Sequence, residues 1–258
     1  MQLNEINLDG YKFPVEQTSI YLNQGNSGRT FQKLANGYKA IIRSDNKKLI
    51  SIMPKTYKMV SNQELIDSLL EKMDMVDCKY IIDPSHSFCN DKRMRLQLTF
   101  PELTIDDDES KTNLSLFIHN SYDGSEGVRL FWGAIRAICS NGVVFGRLIK
   151  GMYRKHTRRL YLPDIQAVMN KAYDAIPTIQ SRYDVMQRFE IMQTDKWGEA
   201  ISNEMGKKIS EDPDLKEAIQ GQTTEWAIFQ ALTYIISHKI KVHRQAYYQN
   251  KISKLMNI

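Results

Sequence analysis

Residues 93–120 read RMRLQLTFPELTIDDDESKTNLSLFIHN, and their periodicity decides the fold class. Met94, Leu96, Leu98 and Phe100 alternate with Arg93, Arg95, Gln97 and Thr99. A period of two sends successive side chains to opposite faces of a strand. After Glu102, Asp106, Asp107, Asp108 and Glu109, the alternation returns at Leu114, Leu116 and Ile118. Two strands of an antiparallel sheet joined by a solvated acidic loop are therefore predicted, with one face in the core and the other wet and positive.

Upstream, the β-prone runs Tyr38–Ile42 and Lys48–Met53 flank the turn formers Ser44, Asp45 and Asn46, which predicts a hairpin stopped by Pro54. Ser61 and Glu64 have capping-box spacing, so a helix is expected to start there. Leu65, Ile66, Leu69, Leu70 and Met73 give it an apolar stripe ending near Met75. Tyr80–Ile82 read as a further strand.

Downstream, Asn120–Ser125 is a run of turn formers. Val128, Phe131, Trp132, Ile135, Ala137, Ile138 and Cys139 then fall at mostly helical spacing before Asn141-Gly142, a pair suited to a left-handed cap. The expectation is a helix packed on the sheet, with Arg129 and Arg136 a heptad apart on its other side. Beyond Leu160 the pattern is helical, opened by Pro163, interrupted by Pro177 and strongly apolar from Gln222 to Ser237. The whole reads as an α+β fold: an antiparallel sheet packed by helices, with a helical C-terminal region. Residues 1–160 would form the core with its N-terminal hairpin and central antiparallel sheet, and 161–258 the helical region, either a separate extension or part of the same domain, since no Gly- or Ser-rich linker lies between them.

Hydrophobic residues make up 42% of the chain and charged residues 25%, values of an ordinary globular protein rather than a disordered one. Met1–Gly10 carries Glu5 and Asp9 and has no apolar core, and no stretch approaches the roughly 18 apolar residues of a membrane span. A soluble protein of a reducing cytoplasm is expected. Cys78, Cys89 and Cys139 are widely spaced, with no CxxC pair and no His at ligand spacing, and read as buried structural thiols.

The net charge of +5 says less than its layout. From Gly127 to Pro163 there is no Asp or Glu, while Arg129, Arg136, Arg147, Lys150, Arg154, Lys155, Arg158 and Arg159 supply eight positive charges. A second acid-free stretch, Trp226–Ile258, holds Lys239, Lys241, Arg244, Lys251 and Lys254 among His238, His243, Tyr247 and Tyr248. Such segments either form a solvated face paired with acids elsewhere or bind a polyanion, since displacing counterions needs several cations on one surface. Tyr153 and Tyr161 suit stacking on unpaired bases, or burial in the core.

Catalytic signatures are sparse. Gly124 and Gly127 do not form a dinucleotide fingerprint, and GxxxxGK[ST] does not occur. His119 and His156 lack a nucleophile motif beside them and read as structural or solvated. Asp106, Asp107 and Asp108 are contiguous, unlike the dispersed carboxylates of two-metal chemistry. Asn120–Gly124, placed between a strand and the expected helix, is either an anion-facing helix start or a capped turn. No cofactor is expected.

The segment NSYDGS at Asn120–Ser125, continuing through Arg136, Cys139, Asn141 and Gly142 to Arg154, Lys155, His156 and Thr157, resembles a family of phage- and plasmid-borne proteins of unknown function. YKAIIRSDNKKLISIMPKTYKMVSNQELID from Tyr38 and TTEWAIFQALTYIISH from Thr223 are similar to its N-terminal hairpin and helix and to its C-terminal helix, so the resemblance spans roughly residues 30 to 255. Tyr122 stands where the SHDGS form has His, and Ala227 and Gln230 where WG and N are commoner.

The expected order of a helix, strands and a long helix after a Gly and Ser turn also resembles the core of the single-strand annealing proteins, the superfamily of Erf, RecT and the phage Red beta protein. That resemblance implies rings or filaments holding single-stranded DNA in a basic groove without nucleotide hydrolysis. It puts Arg93, Arg95, Arg129, Arg136, Arg147, Lys150, Tyr153, Arg154, Lys155, Arg158 and Arg159 forward as groove residues. It also implies a homo-oligomer, a partner exonuclease and a bacterial host cytoplasm. The rival expectation is an interaction protein that inhibits a host defence or regulatory factor.

Overall fold

A computed structural model describes residues 8–26, 29–74, 79–82, 87–106, 111–136, 142–144, 152–157, 165–191, 194–220 and 223–258. After a short 3-10 turn at Leu8–Gly10, β1 (Val15–Asn26), β2 (Arg29–Arg43) and β3 (Leu49–Pro54) form a three-stranded antiparallel sheet in sequence order. The expected hairpin is β2–β3. Its turn closes through Lys48 N–H donating to Asn46 Oδ1 at 2.9 Å, with Lys47 at a φ of 57°. β1 was not foreseen; it pairs with β2 from Val15↔Arg43 to Asn26↔Arg29, with a register shift between Ser19 and Tyr21.

Helix α1 (Asn62–Asp74) starts where the capping box placed it, Glu64 N–H donating to Ser61 Oγ at 3.0 Å. Leu65, Ile66, Leu69 and Met73 are buried on its inner stripe. Then come β4 (Ile81–Ile82), β5 (Phe88–Cys89), β6 (Arg93–Asp106), β7 (Lys111–Ser121), β8 (Val128–Arg136), β9 (Gly142–Val144) and β10 (Met152–Arg154). They form a sheet of order β10-β8-β7-β6-β4, with β5 on β6 and β9 on β8. Met94, Leu96, Leu98 and Phe100 of β6, and Leu114, Leu116 and Ile118 of β7, are all buried as their alternation requires.

Three expectations are corrected. The first is the opposite face of β6, which is covered: Arg95 is 7% exposed and Gln97 fully buried. Phe88 pairs with Arg95 in register, and Gln97 N–H donates to Ser87 Oγ at 3.0 Å, so the segment carrying β5 takes the place of solvent. The second is the expected helix over Val128–Cys139, which is strand β8. Val128, Leu130 and Trp132 are buried at a period of two, and the heptad spacing of Arg129 and Arg136 has no meaning in a pleat. Asn120–Gly124 therefore stands between two strands and is not a helix start.

The third correction is at Pro177. Helix α2 (Ile165–Arg188) runs through it uninterrupted. After α2 come β11 (Glu190–Ile191), α3 (Thr194–Met205), α4 (Lys207–Ser210), α5 (Pro213–Ile219), β12 (Thr223–Thr224), α6 (Glu225–Lys239) and α7 (Val242–Met256). Asp212 caps α5 by accepting from Asp214 N at 3.1 Å, with Pro213 in the first turn, and Thr224 caps α6 by accepting from Ala227 N at 3.2 Å.

The chain divides into two compact units: residues 1–98, 117–130 and 152–166, and residues 99–116, 131–151 and 167–258. The first has a core of Phe13, Ile41, Ile50, Tyr57 and Tyr122. In the second, Phe100 meets Trp132 at 5.2 Å between ring centroids, and Tyr183, Trp226 and Phe229 form an aromatic cluster. The boundary expected near residue 160 falls outside the described residues. No helix, among the described residues, is long and apolar enough to cross a membrane.

Candidate functional site

The turn after β7 is built from within the first unit, and Asn120, Ser121, Tyr122 and Asp123 each have a structural task. Asn120 Nδ2 donates to Val60 O at 3.0 Å and to Asn62 Oδ1 at 2.9 Å, fixing the approach to α1. Tyr122 is fully buried, and its hydroxyl accepts from Asn62 N–H at 2.6 Å, satisfying an amide that the first turn of the helix leaves free. Ser121 Oγ donates to Glu126 O at 2.7 Å and accepts from Glu126 N–H at 3.1 Å, which closes the loop. Inside it, Ser125 N–H donates to Asp123 Oδ1 at 3.0 Å and Gly124 takes a φ of 72°. Gly127 is required for a different reason: a Cβ there would lie 2.4 Å from the Arg154 carbonyl oxygen. The turn and β10 can approach only through a residue without a side chain.

That approach forms one wall of a cleft of about 620 Å³, lined by Met53, Pro54, Thr56, Tyr57, Gly124, Glu126, Gly127, Tyr153, Lys155, His156 and Thr157. The two segments of the NSYDGS resemblance, around Gly124 and around Lys155-His156-Thr157, meet here. His156 is tied to the strand-to-helix connection twice over. Lys58 N–H donates to the His156 carbonyl at 3.0 Å, and His156 Nδ1 lies 2.9 Å from the Lys58 carbonyl. Its ring stacks on Tyr57 at 4.7 Å, and Tyr57 Oη donates to Ser121 O at 2.6 Å. Burial holds the His156 imidazole below its ordinary range, so it is neutral.

Glu126 adds the cleft's negative charge. Arg95 Nη2 donates to its Oε1 at 2.6 Å, and His119 Nδ1 lies 3.3 Å from its Oε2. Burial alone would raise this carboxyl, but His119 and Arg95 outweigh it and bring it down to about 2. Burial also lowers His119 below its ordinary range. Arg95 in turn stands over the Phe88 ring at 5.4 Å, so it holds the cleft wall from behind and does not face solvent.

Of the expected groove residues, Tyr153 and Lys155 line the cleft. Tyr153 is 46% exposed, and the Arg129 guanidinium lies 5.0 Å from its ring centroid. Lys155 is exposed, and Arg154 Nη1 donates to Tyr153 O at 3.0 Å. Arg93 lies 3.8 Å from Asp123. Arg136 closes β8, while Arg147, Lys150, Arg158 and Arg159 lie outside the described residues, as do Tyr161, Cys78, Cys139, Asp107 and Asp108. Cys89 is half-buried and its thiol is pushed up to about 12, first by burial and then by Asp91, as a structural thiol would be. Among the described residues no group of three or more His, Cys, Asp or Glu is placed to hold a metal ion.

The C-terminal cations are largely paired within the second unit. Lys239 meets Asp212 at 2.7 Å and Asp214 at 3.0 Å, Lys254 meets Glu204 at 3.2 Å, and Lys251 meets Glu204 at 3.9 Å. Sequence reasoning missed Tyr57, Glu126 and Gly127 as cleft residues. Only Gly127 carried a signal, a glycine shortly after an apolar strand ends, and its meaning depends on how closely β10 approaches.

A family model described as Domain of unknown function (DUF932) matches residues 50–258. No curated protein and no solved structure matches the chain.

Proposed function

We propose that this chain, which belongs to the DUF932 family, binds single-stranded DNA through the cleft of its first unit and anneals complementary strands without hydrolysing a nucleotide. The observation that carries the reading is Tyr153: an exposed ring, backed by Arg129, beside Lys155 in the same cleft. Base stacking on an aromatic side chain contributes about 1–3 kcal/mol per base and accepts any sequence, while neighbouring cations hold the backbone. The resemblance to single-strand annealing proteins supplies the rest of the proposal: a homo-oligomeric ring or filament, a phage or plasmid setting and a partner exonuclease.

The test is anisotropy of a labelled single strand and its duplex at two salt concentrations, with light scattering on the same sample. Expected is salt-sensitive preference for the single strand by an oligomer, and roughly tenfold weaker binding by Tyr153→Ala. No binding at low salt by folded protein would end the proposal.

A second reading, an interaction protein directed at a host factor, is favoured by Tyr38, Leu49 and Ile52, each more than half exposed on the three-stranded sheet. It requires no DNA binding, so the same titration separates the two.

A further inference from the structure

Strand β1 is an open sheet edge. Among the described residues it pairs with β2 alone, and Gln17, Thr18, Ser19, Tyr21, Leu22 and Asn23 along it are exposed. An edge strand presents unpaired amides and carbonyls, and proteins that must not pair there guard it with charges, with proline or by keeping it short. The other edge of the same sheet is guarded in all three ways: β3 has 6 residues, ends in Pro54, and lies between Lys47-Lys48 and Lys55. β1 has 12 residues and, from Gln17 to Asn26, neither a proline nor a charge. The charge that precedes this run, on Glu16, is met by Lys47 of the same chain at 2.8 Å.

The far half of the strand adds a second observation. β3 pairs with β2 no further than Tyr38↔Pro54, whereas β1 and β2 continue from Tyr21↔Leu34 to Asn26↔Arg29 as a two-stranded ribbon. Tyr21 and Leu22 are neighbours and so point to opposite faces of it, and both are exposed, at 59% and 49%. A ribbon of two strands, wet on both faces, is marginally stable in water, and a third strand stabilises it.

We propose that β1 pairs antiparallel with β1 of a second copy of this chain, with the two-fold axis at Tyr21. The sequence of the strand selects both this occupant and this register. Tyr21 faces the partner's Tyr21, Ile20 faces the partner's Leu22, and Leu22 faces the partner's Ile20, so the apolar triplet meets itself. Every other register sets part of that triplet against polar residues. Glu16 falls opposite the partner's Asn26, and no like charges are opposed. The extra chain of the register shift lies in β2, at residues 35–38, so β1 itself stays continuous. A ladder from Glu16 to Asn26 supplies about ten main-chain hydrogen bonds, the number an ordinary protein interface carries. The same edge serves both copies, so the contact closes as a dimer. The proposal goes beyond the single-strand reading and does not rest on it.

The test is sedimentation equilibrium of the full chain without nucleic acid, with circular dichroism to follow folding. Expected is self-association of the wild-type protein, weakened about tenfold or more in Tyr21→Lys, which sets two cations opposite each other, and likewise in Tyr21→Glu. An equimolar mixture of the two variants should regain association, since a cation then faces an anion. Amide exchange of the wild-type protein reads the same contact without any variant: Ile20–Asn23 should exchange more slowly in concentrated than in dilute solution.

A monomeric wild-type protein overturns the proposal, leaves the edge to an extended segment of another protein, and removes the expected oligomer as well. An assembly that survives Tyr21→Lys, a mixture no tighter than its components, or exchange independent of concentration overturns this contact alone.

Discussion

Tyr122 concentrates several tasks in one side chain. It fills the first unit's core against Phe13, ring to ring at 5.8 Å, and its hydroxyl meets the Asn62 amide at the start of α1. Tyr122→Phe keeps the ring and removes the acceptor, so a buried N–H is left without its partner. The expected cost is about 1–3 kcal/mol in denaturant unfolding, with the fold retained. A variant as stable as the parent would mean that the amide finds another acceptor.

The buried His residues set a second expectation at this scale. His119 and His156 both titrate below the ordinary 6.5 in the folded protein. As pH falls through 6.5 the unfolded chain takes up protons that the folded chain refuses, so stability is complete above 6.5 and declines below it. Glu126, at about 2 against an ordinary 4.5, adds a further loss in the same direction between those values. Unfolding midpoints measured from neutral to about pH 4 should therefore fall throughout, and a flat profile down to about pH 5 would contradict the burial of both imidazoles.

Element by element, legibility followed how many faces of a segment are covered in different ways. The residues Arg93–Phe100 and Leu114–Ile118 showed their strands because every second side chain is a large apolar one. β8 was misread because it lies between β7 on one side and β9 and β10 on the other, and its sequence is apolar at both parities: Val128, Leu130 and Trp132, but also Phe131 and Ile135. Such a run fits a helix and a strand equally well, and the pairing that decides it is not local. β1 was invisible for the opposite reason, since QTSIYLNQGN has too few apolar positions to show a period, and β2 specifies it through backbone pairing.

Pro177 misled through a local rule overridden by packing. Its ring removes one amide donor from the interior of α2 and crowds the preceding turn, yet the helix continues, with Ala175, Ile179, Tyr183 and Met186 buried along it. Because Pro177 is itself exposed, Pro177→Ala restores a helical hydrogen bond without disturbing that buried stripe. The expected result is a gain of up to about 3 kcal/mol in unfolding free energy, and a decrease would show that the Pro177 ring itself contributes to the packing of α2.

At the scale of the whole molecule, the sequence revealed the cations but not their partners. Two acid-free stretches looked alike, because a linear reading cannot tell which carboxylates fold back onto them. In the second unit α3 and α5 bring Glu204, Asp212 and Asp214 to Lys239, Lys251 and Lys254, whereas Lys155 stands exposed in the cleft of the first. A cation already paired with a carboxylate has little to gain from phosphate, since it must exchange one anion for another. The salt dependence of DNA binding should therefore belong to the first stretch. Replacing Arg154 and Lys155 with Ala should reduce the slope of log affinity against log salt by about 0.7 for each phosphate that is no longer neutralised. The double variant Lys251→Ala, Lys254→Ala should leave that slope unchanged while costing at most about 1 kcal/mol of stability, the range for partly exposed ion pairs. If the C-terminal pair instead lowered the slope and the cleft pair did not, the DNA would have to lie on α7, and Tyr247 and Tyr248 would replace Tyr153 as the stacking residues to test.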